Sequence, residues 1–207
     1  MKIYSPVYIV VRVILYALFM YGIAEGIFYD AGHPWEGHYF GENTFTEIGQ
    51  EVILFILFVF YLTISFKWKE VKPVALLVSL FFLMSFIREF NFILDQWIYP
   101  VAVLLLLSMW ILVKHYKDIT KSTKDFFAVP ASSWLLSGLL ITYIFSRLLG
   151  RSKFWRLLYE GENYRLAKAA TEEGIELLGD TLMLIGAIEF LLYFLEKKKV
   201  KNQSENS

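Results

Sequence analysis

The side chains with chemistry to offer are carboxylates and arginines set within apolar sequence. Glu47 and Glu51 stand four apart, as do Glu172 and Glu176, and Glu176 and Asp180. Residues at that spacing share one face of a helix. Glu173 adjoins Glu172, and Arg88, Asn91 and Asp95 follow a three-and-four spacing with Glu89 beside the arginine. Glu25 and Arg147 each lie toward the end of a long apolar run. Ionised groups at membrane depth are costly and normally face a bundle interior or a watery cavity, where they bind ligands, relay protons or pair with one another. The ligand-binding set predicted on this ground is Glu25, Glu47, Glu51, Arg88, Glu89, Asp95, Arg147, Glu172, Glu173, Glu176 and Asp180. An excess of carboxylate favours a cation. Arg88 would orient a carboxylate or meet an anionic lipid headgroup.

The same donors suit a divalent metal. Glu51, Glu89, Glu176 and Asp180 would supply oxygen ligands, and His33 and His38 imidazoles, the latter from His-Pro-Trp-Glu-Gly-His in a loop over Tyr29–Phe45. Imidazole with carboxylate fits Zn, Fe or Mn. The spacing matches no metal motif, and the loop, which also holds Asp30, Glu36 and Glu42, reads better as a solvated polar segment. There is no Glu-x-x-His of the kind that ferritin-like bundles use, so no cofactor is dictated. Nucleotide-binding, serine-hydrolase and zincin motifs are absent. Ser85 and Ser146 have no histidine at their depth, so catalytic residues stay unassigned. Glu172-Glu173 departs from the paired-glutamate pattern of membrane CAAX proteases, which has an arginine where Leu177 stands. The intramembrane histidines of that family, and of the ceramidase and progestin-receptor group, are missing too.

The elements that must position these residues are apolar helices. The chain has 207 residues, 57% of them hydrophobic, against about 45–50% for soluble domains. Six apolar blocks span about 6–28, 46–66, 73–97, 98–113, 127–149 and 171–195. They predict an all-α, polytopic membrane bundle of about six transmembrane helices in one domain over residues 1–196. The first block is read as a retained helix, because Arg12 and Glu25 flank its core and no small-residue cleavage site follows. Pro100 predicts a tight turn near Gln96–Pro100. Residues 150–168 mix Trp155, Tyr159 and Tyr164 with charges and predict an interfacial amphipathic segment. Residues 197–207 predict a polar cytoplasmic tail, disordered from Asn202 onward.

Lysines follow the second, fourth and sixth blocks, at Lys67, Lys69 and Lys72, at Lys114, Lys117, Lys121 and Lys124, and at Lys197, Lys198 and Lys199. The positive-inside bias then places both termini in the cytoplasm and the chain in the plasma membrane. The basic stretch 147–168 opposes this bias. Counting from the lysine-rich edges, five helices carry ionisable groups at one outward depth and the fourth carries none. Near the other edge, Arg12 and Glu189 lie at matching depth and predict a structural pair.

Formal net charge is zero and cysteine is absent, which removes bulk-charge grounds for nucleic-acid binding and all thiol chemistry. The expected partners are the lipid bilayer and a cation or lipid headgroup. The leading expectation is a transporter or sensor with an outward-facing, carboxylate-rich site for a cation or small polar ligand. One alternative is a metal-dependent membrane hydrolase acting on lipid at the outer leaflet. The other is a structural subunit whose Arg/Glu network only ties helices together.

Overall fold

The structure is a computed structural model that describes residues 5–35, 39–41, 43–90, 96–162 and 164–205, with backbone only at 201, 204 and 205. Helix makes up 85% of the protein, and no strand occurs among the described residues. Helices satisfy their backbone groups internally, which any lipid-exposed span requires. In chain order they are α1 (Pro6–Gly32), α2 (Phe45–Lys67), α3 (Lys72–Glu89), α4 (Ile98–Lys114), α5 (Tyr116–Phe127) and α6 (Ser132–Leu140). A π-helical turn (Ile141–Phe145) then runs directly into α7 (Ser146–Leu149), followed by α8 (Ser152–Trp155) and α9 (Tyr164–Glu205).

Local sequence accounts for the ends. Pro6 opens α1 and Pro73 lies in the first turn of α3, where a missing N–H leaves no bond unmade. Glu47 lies in the first turn of α2 and Lys67 in its last, each complementing the helix dipole. Pro100 sits in the first turn of α4, so Tyr99 is helical and the turn is confined to Gln96 and Trp97. That corrects the broader turn predicted there, because the first turn of a helix tolerates proline.

Four helices, α1, α2, α6–α7 and α9, are long and apolar enough to cross a membrane, and α4 with α5 makes a fifth if that bent pair is one span. The prediction was six. Of the third block, α3 spans Lys72–Glu89 and holds Lys72, Arg88 and Glu89 within its 18 residues, while 91–95 lie outside the described residues. Two other boundaries move. The segment 150–168 is not one amphipathic piece, since α8 stops at Trp155, turns follow, and Tyr164 already begins α9. Gly161 permits the positive φ of 69° in that turn. The tail is helical rather than disordered through Glu205, because α9 runs unbroken for 42 residues.

The chain divides into two compact units, residues 1–50 with 133–207, and residues 51–132. In the first, α9 is the axis, and α1, the π-turn, α7 and α8 pack on it. Leu177, Met183, Ile185, Phe190 and Phe194 of α9 are buried, with Leu135 of α6. Gly138 and Gly179 make the crossing of α6 and α9 close: a Cβ on Gly179 would meet the Gly138 carbonyl oxygen at 2.9 Å and would also strike the Thr142 hydroxyl. In the second unit, α3 packs on α4 and α5. Tyr61 of α2 stacks on Phe82 of α3 at 5.8 Å and lies 6.1 Å from the Phe126 ring of α5. The axis turns by 96° between α4 and α5 at His115. Ile119, Ser122 and Phe126 of α5 are buried, while Lys117, Lys121 and Lys124 are exposed. The lysines that follow the fourth block therefore lie on the exposed face of an amphipathic helix.

Candidate functional site

The densest polar cluster lies in the first unit, where the π-turn and α7 face α9. A π-turn inserts an extra residue into the helical repeat and shifts the face that follows it. Thr142 within the turn and Ser146 and Arg147 just after it all meet α9. The Thr142 Oγ1 lies 3.1 Å from Asp180 Oδ1 and 3.2 Å from the Glu176 carbonyl oxygen. The Ser146 Oγ lies 3.0 Å from Glu176 Oε1 and 2.5 Å from the Thr142 carbonyl oxygen, so its one proton can serve either. Arg147 donates to Glu176 Oε1 through Nη2, and its Nη1 lies 3.8 Å from Glu172 Oε1. One turn earlier on α9, Lys168 Nζ donates to Glu172 Oε2 at 2.9 Å. Glu176 and Asp180 are buried; Glu172 is nearly so.

Gln50 reaches α9 from the start of α2. Its Nε2 lies 3.1 Å from both the Glu173 carbonyl oxygen and Glu173 Oε2. Closer to the C-terminal end of α9, Arg12 Nη1 is 2.6 Å from Glu189 Oε2, and the Tyr16 hydroxyl donates to Glu189 Oε1 at 2.6 Å. The structure thus joins Arg12 with Glu189, and adds Tyr16, which follows Arg12 by one turn.

In the second unit, Arg88 Nη2 bonds Glu89 Oε1 at 2.5 Å, and Glu51 lies within electrostatic reach of Glu89. Glu25 is exposed on α1 beside Tyr21. Glu47 is half-buried in the first turn of α2, where its backbone N–H lies 3.5 Å from the Thr44 hydroxyl. His33 is exposed, stacked on Tyr29 at 4.1 Å with its Nδ1 3.0 Å from that residue's carbonyl oxygen. His38 and Asp95 lie outside the described residues.

Among the described residues, no group of three or more His, Asp or Glu side chains is placed to hold a metal ion. The reason is local: Glu176 and Asp180 turn toward Arg147, Ser146 and Thr142, Glu89 turns toward Arg88, and His33 folds onto its own helix end.

Asp30 was read as part of a solvated loop and is instead buried in the last turn of α1. Its carboxylate accepts the Phe45 N–H at 2.9 Å, the Thr46 N–H at 2.7 Å and the Thr46 hydroxyl at 2.6 Å. It therefore caps α2 from another helix, placing negative charge where backbone donors are orphaned. No local pattern signals a cap supplied from fifteen residues away. Thr142 and Ser146 were also missed as members of the network, although Gly138, Thr142 and Ser146 form a small-residue stripe at four-residue spacing that marks a close helix contact.

An all-helical protein with several membrane-length apolar helices and buried α9 carboxylates met by an exposed arginine is the class that fold and site define. No protein-family model matches the chain, and no curated protein or solved structure matches it significantly.

Proposed function

We propose that this chain is an integral membrane protein whose Arg–carboxylate network ties helices together, so that it serves as a structural or assembly subunit. The observation that carries this reading is the bracketing of the α9 acids: Glu176 between Arg147 and Ser146, and Glu172 between Lys168 and Arg147. A buried carboxylate matched in this way gains by staying put, and removing one partner strands the other. The membrane part of the reading rests on α1 and α4. Leu18 is 61% exposed, Leu106 66% and Val113 81%, a surface that lipid covers without penalty and water does not. Both termini cytoplasmic in a plasma membrane, with the short α3 and the α4–α5 pair completing about six passes, remains the topology that the lysine distribution favours.

A second reading has one observation in its favour. The π-turn faces Glu176 and Asp180, and such turns are frequent at functional sites. On that reading the buried pair takes a cation or proton. Thermal melts of the detergent-purified protein with and without Na+, Mg2+ or Ca2+ discriminate. The tying role predicts no cation-dependent rise, together with destabilisation by Arg147→Gln or Glu176→Gln alone that is less than additive in the double variant. A cation-dependent rise that Asp180→Asn abolishes would overturn it in favour of the ligand site. The hydrolase alternative has no assembled metal centre among the described residues to rest on.

A further inference from the structure

The second unit contains a cavity of about 640 Å3 between the α2–α3 turn, the C-terminal part of α4 and the helix α5. That size is in the range of small-molecule sites. Its walls carry both signs of charge in equal number: Lys69, Lys72 and Lys121 against Glu70, Asp118 and Asp125. His115 also lines it, with Nδ1 3.6 Å from Asp118 Oδ2. Leu76, Trp110 and Ile111 supply an apolar side, and from Trp110 the exposed aliphatic face of α4 continues through Leu106 and Val103. Ser122 lines the cavity too. It is 2% exposed, and its hydroxyl oxygen is buried with no hydrogen-bond partner. A buried hydroxyl left unmatched is unfavourable, and no group among the described residues matches this one.

We propose that this cavity binds the headgroup of a zwitterionic aminophospholipid, with the phosphate at the lysines and Ser122, the ammonium at the acids, and the acyl chains along α4. Charge selects the class. A purely anionic headgroup would meet three carboxylates and a simple cation three ammonium groups, whereas a zwitterion satisfies both sets. The 96° bend sets the depth. If α4 crosses the bilayer, α5 lies along its surface with Lys117 and Lys124 outward, which puts the cavity at headgroup level. The inference therefore rests on the membrane reading of α4, and not on the role given to the α9 network.

The test uses the full chain, purified and delipidated in detergent, with native mass spectrometry and thermal melts. The probes are dihexanoyl phosphatidylethanolamine, dihexanoyl phosphatidylglycerol and free phosphoethanolamine. The ethanolamine lipid should be retained in preference to the glycerol lipid and should raise the melting temperature. Ser122→Ala should weaken that retention about tenfold, the equivalent of one charge-assisted hydrogen bond, while leaving the lipid-free melting temperature unchanged or higher. Lys121→Gln, at an exposed position, should weaken it without loss of fold, and Asp125→Asn should shift preference toward the glycerol lipid. Equal retention of both lipids, retention indifferent to Ser122→Ala and Lys121→Gln, or no retention would each overturn the proposal. Protection by free phosphoethanolamine equal to that by the lipid would overturn the lipid source. A chain that stays monodisperse in water without detergent would overturn the membrane reading beneath it, which is a separable result.

Discussion

Arg12 and Glu189 illustrate what a charge does in an apolar stretch of this chain. Their side chains are 16% and 17% exposed and 2.6 Å apart, with Tyr16 completing the carboxylate's second oxygen. Removing either partner leaves the other poorly solvated, whereas removing both leaves an apolar contact. Arg12→Met and Glu189→Gln should each lower the melting temperature in detergent, and a double-mutant cycle should return a coupling of about 0.5–3 kcal/mol. Additive single effects would show that the two groups do not interact. Asp30 makes a sharper case, since one carboxylate accepts three hydrogen bonds at the start of α2. Asp30→Ala should destabilise by about 1–3 kcal/mol through orphaned donors, with Asp30→Asn less damaging because it keeps an acceptor. Urea or thermal unfolding of the two variants checks the order.

Among the elements, the contact of α6 and α9 depends on the absence of side chains. Gly179 faces the Gly138 carbonyl oxygen and the Thr142 hydroxyl, with no room for a methyl group, and backbone cannot yield as a flexible side chain does. Gly179→Ala should therefore cost about 1–3 kcal/mol by overpacking and disturb the Thr142–Asp180 bond. Gly22 in α1 is the matched control, with open space where its Cβ would stand. Gly22→Ala should be neutral or stabilising by up to about 1 kcal/mol, the helix-propensity gain. Melting temperatures that fall equally for both would refute the packing argument. The same logic explains one of the three mid-helix glycines of α9: Gly179 lies against the π-turn, so packing outweighs its poor helix propensity.

For the whole molecule, the testable quantity is which segments share a side of the membrane. The chain has no cysteine, so each introduced one is a unique label site. Cysteines replacing Lys69 and Lys124, both exposed, should react with a membrane-impermeant maleimide from the cytoplasmic side only. A cysteine replacing the exposed Glu162, in the turn before α9, should react from the opposite side. Reaction of all three from one side would break the proposed path between α5 and α9, and with it the outward placement of the α9 acids.

The apolar blocks and their i, i+4 acids were legible because apolarity and helical periodicity act on neighbours in sequence. Helix existence, the apolar faces, the same-face grouping of Glu172, Glu176 and Asp180, and the Arg12–Glu189 depth match all follow from such local rules. Tertiary structure alone decided what each acid meets. That Glu176 turns to Arg147 and Ser146 depends on a π-turn whose extra residue has no sequence signature, and that Asp30 caps α2 depends on how α1 returns to it. Both choices rest on contacts between residues distant in the chain, made where two backbones approach closely enough for one hydroxyl or one carboxylate to complete the other's hydrogen bonds. The carboxylates were thus readable as an inventory, and the side chains from other helices that Glu176 and Asp180 meet were not.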